Sequence, residues 1–194
     1  MLTDSHDAVT ADWAAALLDF WFNQVGEDDW WRHDPALDAQ CLMRFRALWD
    51  EKRALPPEEF LERADDALAA VLLFDQIPRN MFRGTAQAFE TDALARDVAR
   101  GAIAHGYDIQ IGGAGRLFFY MPFQHSENLD DQALSLNLFE GAGDAQSLDF
   151  ARKHHAAIQR FGRFPHRNAV LGRESRPDDA KGSKFDRAKT SIHE

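Results

Sequence analysis

Guanidinium groups grip carboxylates and phosphates two-pronged and stay charged when buried, so arginines clustered without acids form a set of anion-binding forks. The segment RFGRFPHRNAVLGR, from Arg160 to Arg173, holds four arginines, one histidine and one asparagine with no acid, in a chain whose net charge is −10. Like charges repel and each long side chain loses rotamer entropy when ordered, so something anionic is expected to compensate them. That partner is either a ligand or the chain's own carboxylates, with Asp75, Asp92, Glu127, Asp130 and Asp131 as internal candidates. In the second case the result is a buried ionic network that fixes helix packing at little net gain in stability.

An upstream segment, DQIPRNMFRG from Asp75 to Gly84, repeats the pattern. In both, a proline precedes an Arg-Asn pair (Pro78, Arg79, Asn80; Pro165, Arg167, Asn168), and Arg83 or Arg173 follows. Proline lacks an N–H and asparagine bonds leftover backbone groups, so both read as helix-ending turns. They read equally as two turns that face one another and present their arginines to one pocket. The ligand-binding candidates are then Asp75, Gln76, Arg79, Asn80, Arg83, Arg160, Arg163, His166, Arg167, Asn168 and Arg173, with His125, Glu127 and His154 beside them.

His125 and Glu127 are the best catalytic candidates, as a general base with a nearby carboxylate, although residues two apart share a face only on extended backbone. They suit a helix entry equally well. His154 falls on an apolar helix face, where a neutral imidazole bonded to Asp75 or Glu127 is the expected outcome. His125, Glu127, His154 and His166 are metal-ligand types, but none shows zinc-like spacing, so neither a metal nor a cofactor is expected.

The elements that must position these residues are helical almost throughout. Thr10 can cap a helix carrying Trp13, Leu17, Phe20 and Trp21 that closes at Gly26, and Asp34-Pro35 opens one carrying Leu37, Cys41, Phe45 and Leu48. Ala67 to Phe74, apolar on nearly all sides, predicts a buried central helix ending before Pro78. Thr85 or Thr91 starts the next, with Leu94, Val98 and Ala102 in register. YDIQIGGAG reads as a loop, Arg116 to Met121 as a short turn broken by Pro122, and Asn128 begins a helix reaching Gly141. Ser147 is the expected cap of a last helix carrying Phe150, Ala151, His154, Ile158 and Phe161 and ended by Gly162.

The chain has 194 residues, 45% of them hydrophobic, which suits a single all-α domain over residues 1–173, while the polar stretch 174–194 with its isolated Phe185 is expected to be a mobile tail. The lone Cys41 fits a reducing compartment, no apolar run is long enough for a membrane span, and the acidic N-terminus is not a signal peptide. A cytoplasmic protein with no membrane partner is expected. An excess of 32 acidic over 22 basic residues disfavours nucleic acid.

Three segments carry a resemblance: FDQIPRNMFRGTAQAF, MPFQHSENLDDQ and HHAAIQRFGRFPHRNAVLGR are similar to the bacterial family called domain of unknown function 924, over roughly Ala14 to Arg173. The resemblance implies an all-helical, tetratricopeptide-like (helical-repeat-like) fold and no particular activity. The chain departs from it after Arg173, where SRPDDAKGS replaces a threonine- and glutamate-rich helix start. The leading functional expectation is binding, with turnover as an extension, of a small anionic metabolite in an Arg/His-lined pocket; an enzyme here would be a hydrolase. The alternative is a helical-repeat module gripping an acidic peptide or a C-terminus, and the third is a structural ionic network with no ligand.

Overall fold

A computed structural model describes residues 13–179. The expected Thr10 cap and the end of the tail, 180–194, lie outside them. No strand occurs among the described residues. The principal helices are α1 (Trp13–Asp19), α2 (Pro35–Lys52), α3 (Ala64–Val71), α4 (Ile77–Met81), α5 (Asp92–Ala104), α6 (Gly113–Gln124), α7 (Leu129–Ala142) and α8 (Ala145–Phe161).

Local rules explain several boundaries. Asp34 accepts the Ala36 N–H at 2.8 Å with Pro35 in the first turn, so α2 starts at the expected cap and buries Leu37, Cys41, Phe45 and Trp49. Asn128 accepts the N–H groups of Asp130 and Asp131 to open α7, and Gly162, at φ 67°, ends α8 in the left-handed region. The cap of α8 is Asp144 rather than Ser147: the carboxylate accepts the Ser147 N–H at 2.6 Å, so the serine supplies the donor instead of the cap.

The two internal prolines do not stop their helices. After α3 the backbone makes a π-turn, Leu72–Gln76, and continues directly into α4 with Pro78 in its first turn. Pro78 cannot supply the N–H that the Phe74 carbonyl would take in an α-helix, and the Thr91 hydroxyl donates there at 2.7 Å. Thr91 in turn accepts from Trp49 Nε1 at 3.1 Å, tying α2 and the start of α5 to the central helix. Pro122 likewise lies within α6, whose residues Phe118 to Gln124 are all buried, so packing outweighs the missing bond. The segment expected to be a loop is also helical: Tyr107–Ile111 forms a short turn of helix, held by Tyr107 Oη on the Leu61 carbonyl at 2.9 Å, before α6 begins.

The core centres on α3 and its π-turn, where residues 67 to 77 are all buried, with α1, α2, α5 and α6 around it. Gly115 lets α6 approach, since a Cβ there would come within 2.5 Å of Ile111 and 3.2 Å of Leu68. Short connections make α6, α7 and α8 successive antiparallel neighbours, so the N-termini of α6 and α8 lie at the same end.

Candidate functional site

The π-turn brings Asp75 and Gln76 to the inner face, where Asp75 Oδ1 lies 2.8 Å from His125 Nδ1 at the end of α6. The Gln76 amide donates to Asp75 Oδ2 at 2.5 Å and lies 3.7 Å from Met121 Sδ. One turn on, Arg79 forks onto Asp92 at 2.9 and 3.1 Å and reaches Asp75 Oδ1 at 3.1 Å. Arg167, from the downstream turn, donates to the His125 carbonyl at 3.0 Å and lies 3.8 Å from Asp92. Its guanidinium sits 4.6 Å from the ring centres of both Phe89 and Phe164. The two similar turns therefore do meet, and Asp92 joins them.

What they form is closed. Asp75, Arg79, Asp92, His125 and Arg167 are each at least nine-tenths buried, and two arginines face two carboxylates. Burial would raise the Asp75 carboxyl, but Arg79 and His125 outweigh it and hold it well below the usual carboxylate range. Burial lowers the His125 imidazole despite Asp75, so at neutral pH the ring is uncharged, its Nδ1–H donated to the Asp75 carboxylate. Burial and the like charge of Arg79 bring Arg167 down to about 10, still protonated at neutral pH, whereas Arg79 is shifted up because Asp75 and Asp92 more than offset its burial.

The other sequence candidates have partners within the chain. Arg83 forks onto Asp38 at 2.8 and 2.9 Å and also donates to Asn80 Oδ1, and Asn80 donates to the Gln76 carbonyl. Arg173 forks onto Glu127 at 2.6 and 3.0 Å, and Glu127 also accepts the Phe164 N–H at 2.7 Å. Burial opposes ionisation of Glu127, but these bonds hold its carboxyl below the ordinary range. His125 and Glu127 thus turn to different partners, Asp75 for the first and Arg173 with the Phe164 N–H for the second. The His154 ring stands edge-on to Phe164 at 5.3 Å and lies 6.4 Å from His125. His166 packs on Phe164, Arg163 lies 3.5 Å from Asn168 Oδ1, and Arg160 is exposed over Phe161. Asn168 donates to Asp179 at 2.9 Å and Arg176 donates to the Phe161 carbonyl, so hydrogen bonds tie the stretch after Arg173 to the end of α8 and the turn that follows it. Among the described residues no three His, Cys, Asp or Glu side chains are grouped to hold a metal.

Residues 17–182 match the family described as bacterial protein of unknown function (DUF924). The chain belongs to the DUF924 family. It is similar to the solved structure of a protein of unknown function, ATU0120, from Agrobacterium tumefaciens, at 40% identity over 89% of this chain and 97% of that one, with a TM-score of 0.82. Comparison with curated proteins finds no match.

A second arrangement, in the same DUF924 body, was missed by the sequence reading. A cleft of about 540 Å³ opens beside α6 and α8, under the turn that carries Trp30 and Trp31. At one end, Arg116 donates through Nε to Tyr120 Oη at 2.6 Å, and Tyr120 donates to Asp108 at 2.5 Å. Burial and the Asp108 bond push the Tyr120 phenol up to about 12, so it stays a donor to Asp108 and an acceptor for Arg116. The terminal nitrogens of Arg116 make no hydrogen bond among the described residues. Gly112 and Gly113, which open α6 with no side-chain cap, line the same cleft. At the other end Gln124, only 3% exposed, lines the cleft with a side-chain amide that has no hydrogen-bond partner among the described residues. The signal was present in MPFQHSEN as a polar residue ending a fully apolar run, next to the histidine that drew attention instead.

Proposed function

We propose that this protein binds a small organic anion in the cleft between α6 and α8, and that the buried arginine cluster is the scaffold that holds the cleft's walls. The observation that carries this reading is Arg116. Its guanidinium is oriented through Nε by Tyr120 and Asp108, which leaves the terminal N–H groups unbonded among the described residues, in a cleft that the uncapped N-terminus of the twelve-residue α6 also lines. Positive partial charge at that terminus and a fixed fork attract the same kind of group. Trp31, Leu117, Met121 and Phe150 supply apolar walls for the rest of the molecule. Neither His125 nor His154 lines the cleft, so the reading is binding rather than turnover.

Calorimetric melting with 3-phenylpropionate, a carboxylate on an aromatic body, tests this. A ligand of the folded state raises the melting temperature by mass action, worth about 2.7 kcal/mol at a hundred times Kd. The rise is expected in the wild type and lost in Arg116→Met. An absent rise, or an equal one in the variant, defeats the reading.

A further inference from the structure

The two ends of the cleft differ in chemistry, and the difference narrows the ligand. Resting on the anion-binding reading above, we infer that the cleft takes a short peptide with a free C-terminal carboxylate, of about three residues. The carboxylate sits at Arg116 and the α6 N-terminus, and a peptide amide sits on Gln124.

The length comes from the helix. Arg116 and Gln124 are eight residues apart on α6, which at 1.5 Å per residue is about 12 Å. An extended chain covers that distance in three to four residues at about 3.3–3.6 Å each. The amide chemistry comes from Gln124. Gln124 lines the cleft with an amide that has no hydrogen-bond partner among the described residues, and it offers one carbonyl acceptor and two N–H donors. A secondary amide answers with one donor and one acceptor in the same plane. The apolar stretch between the ends, Leu117, Met121 and Phe150 under Trp31, takes side chains rather than charges.

Charge on the rim argues against a dianionic phosphate. Glu27 and Asp144 also line the cleft, and Asp144 already caps α8. Two carboxylates repel a dianion more than a single carboxylate, and Glu27, exposed and in no ion pair among the described residues, suits a peptide's terminal ammonium.

Native mass spectrometry of the full chain with two tripeptide libraries, randomised at all positions and differing only in a free acid or an amidated C-terminus, tests the inference. The free-acid library should be retained at least tenfold more than the amidated one. Gln124→Leu should cut that retention at least fivefold while leaving the melting shift from 3-phenylpropionate in place. Equal retention of the two libraries overturns the inference, as does full retention by Gln124→Leu. No retained tripeptide alongside an intact 3-phenylpropionate shift overturns the peptide class and leaves anion binding standing. Loss of both removes the anion reading and this one with it.

Discussion

The arginine cluster and the cleft lie on either side of Met121, and they treat polar groups in opposite ways. Around Asp75, Arg79 holds two carboxylates, and Arg83 and Arg173 each grip one with both prongs. In the cleft, the terminal nitrogens of Arg116 and the side-chain amide of Gln124 make no hydrogen bond among the described residues. The Nε atoms of Arg79, Arg167 and Arg173 make no hydrogen bond, yet each of these guanidiniums has a carboxylate within reach, so the cluster reads as scaffold, while polar groups lining an open cleft read as a site. On the proposed reading, richness in arginine, the feature that stands out in the sequence, marks scaffold rather than the ligand's place.

This contrast breaks most visibly at Arg79. Arg79→Met strands Asp75 and Asp92 in the core and should cost about 3–5 kcal/mol, measured by urea unfolding. A variant as stable as the wild type would mean that the cluster is not scaffold. Acid should act on the same cluster in two stages. The folded His125 ring takes its proton below its ordinary value near 6.5, so between the two values the unfolded chain binds more protons and stability falls as pH drops below about 6.5. Asp75 and Glu127, both held low, then withdraw their contribution below about pH 4, as the unfolded carboxylates protonate first. A pH series of urea melts checks both stages, and His125→Asn should remove the first.

Arg167→Met should cost less than Arg79→Met, about 1–3 kcal/mol, because Asp92 keeps the Arg79 fork and only the His125 carbonyl loses its donor. Equal costs would show that Arg167 carries as much of the carboxylate pairing as Arg79. Asp179→Ala should lower the melting temperature by a few degrees, since it unties Asn168 and Arg176. The smallest expected effect is Gln124→Leu, within about 0.5 kcal/mol of the wild type or stabilising, since an apolar replacement removes an unpaired amide. A large loss there would show that Gln124 belongs to the fold.

The sequence reveals features that depend on neighbours along the chain. Caps at Asp34 and Asn128, the stop at Gly162 and the apolar run of α3 follow from residues a turn or less away. Pro78 and Pro122 misled because the rule that proline ends a helix assumes an uninterrupted α register and an exposed helix, and here a π-turn with Thr91, or burial on most sides, removes the penalty. The arginines could be located but not assigned, since their partners lie far off in sequence: Asp38 is 45 residues from Arg83 and Glu127 is 46 from Arg173. The cleft was invisible for the same reason, because its groups come from the turn at Trp30, from α6 and from α8, and share only their position in the folded chain.

The most direct measurement is the melting shift induced by 3-phenylpropionate in wild type, Arg116→Met and Arg163→Gln, read side by side. Arg163 belongs to the arginine-rich turn, is partly exposed and lies 3.5 Å from Asn168 Oδ1 in reach of the Asp179 charge, so it is the turn's fairest chance to act on a ligand without unfolding the protein. The account predicts that Arg163→Gln keeps the wild-type shift and Arg116→Met loses it. A shift that survives Arg116→Met and disappears in Arg163→Gln would place the ligand at the arginine turn and contradict the account.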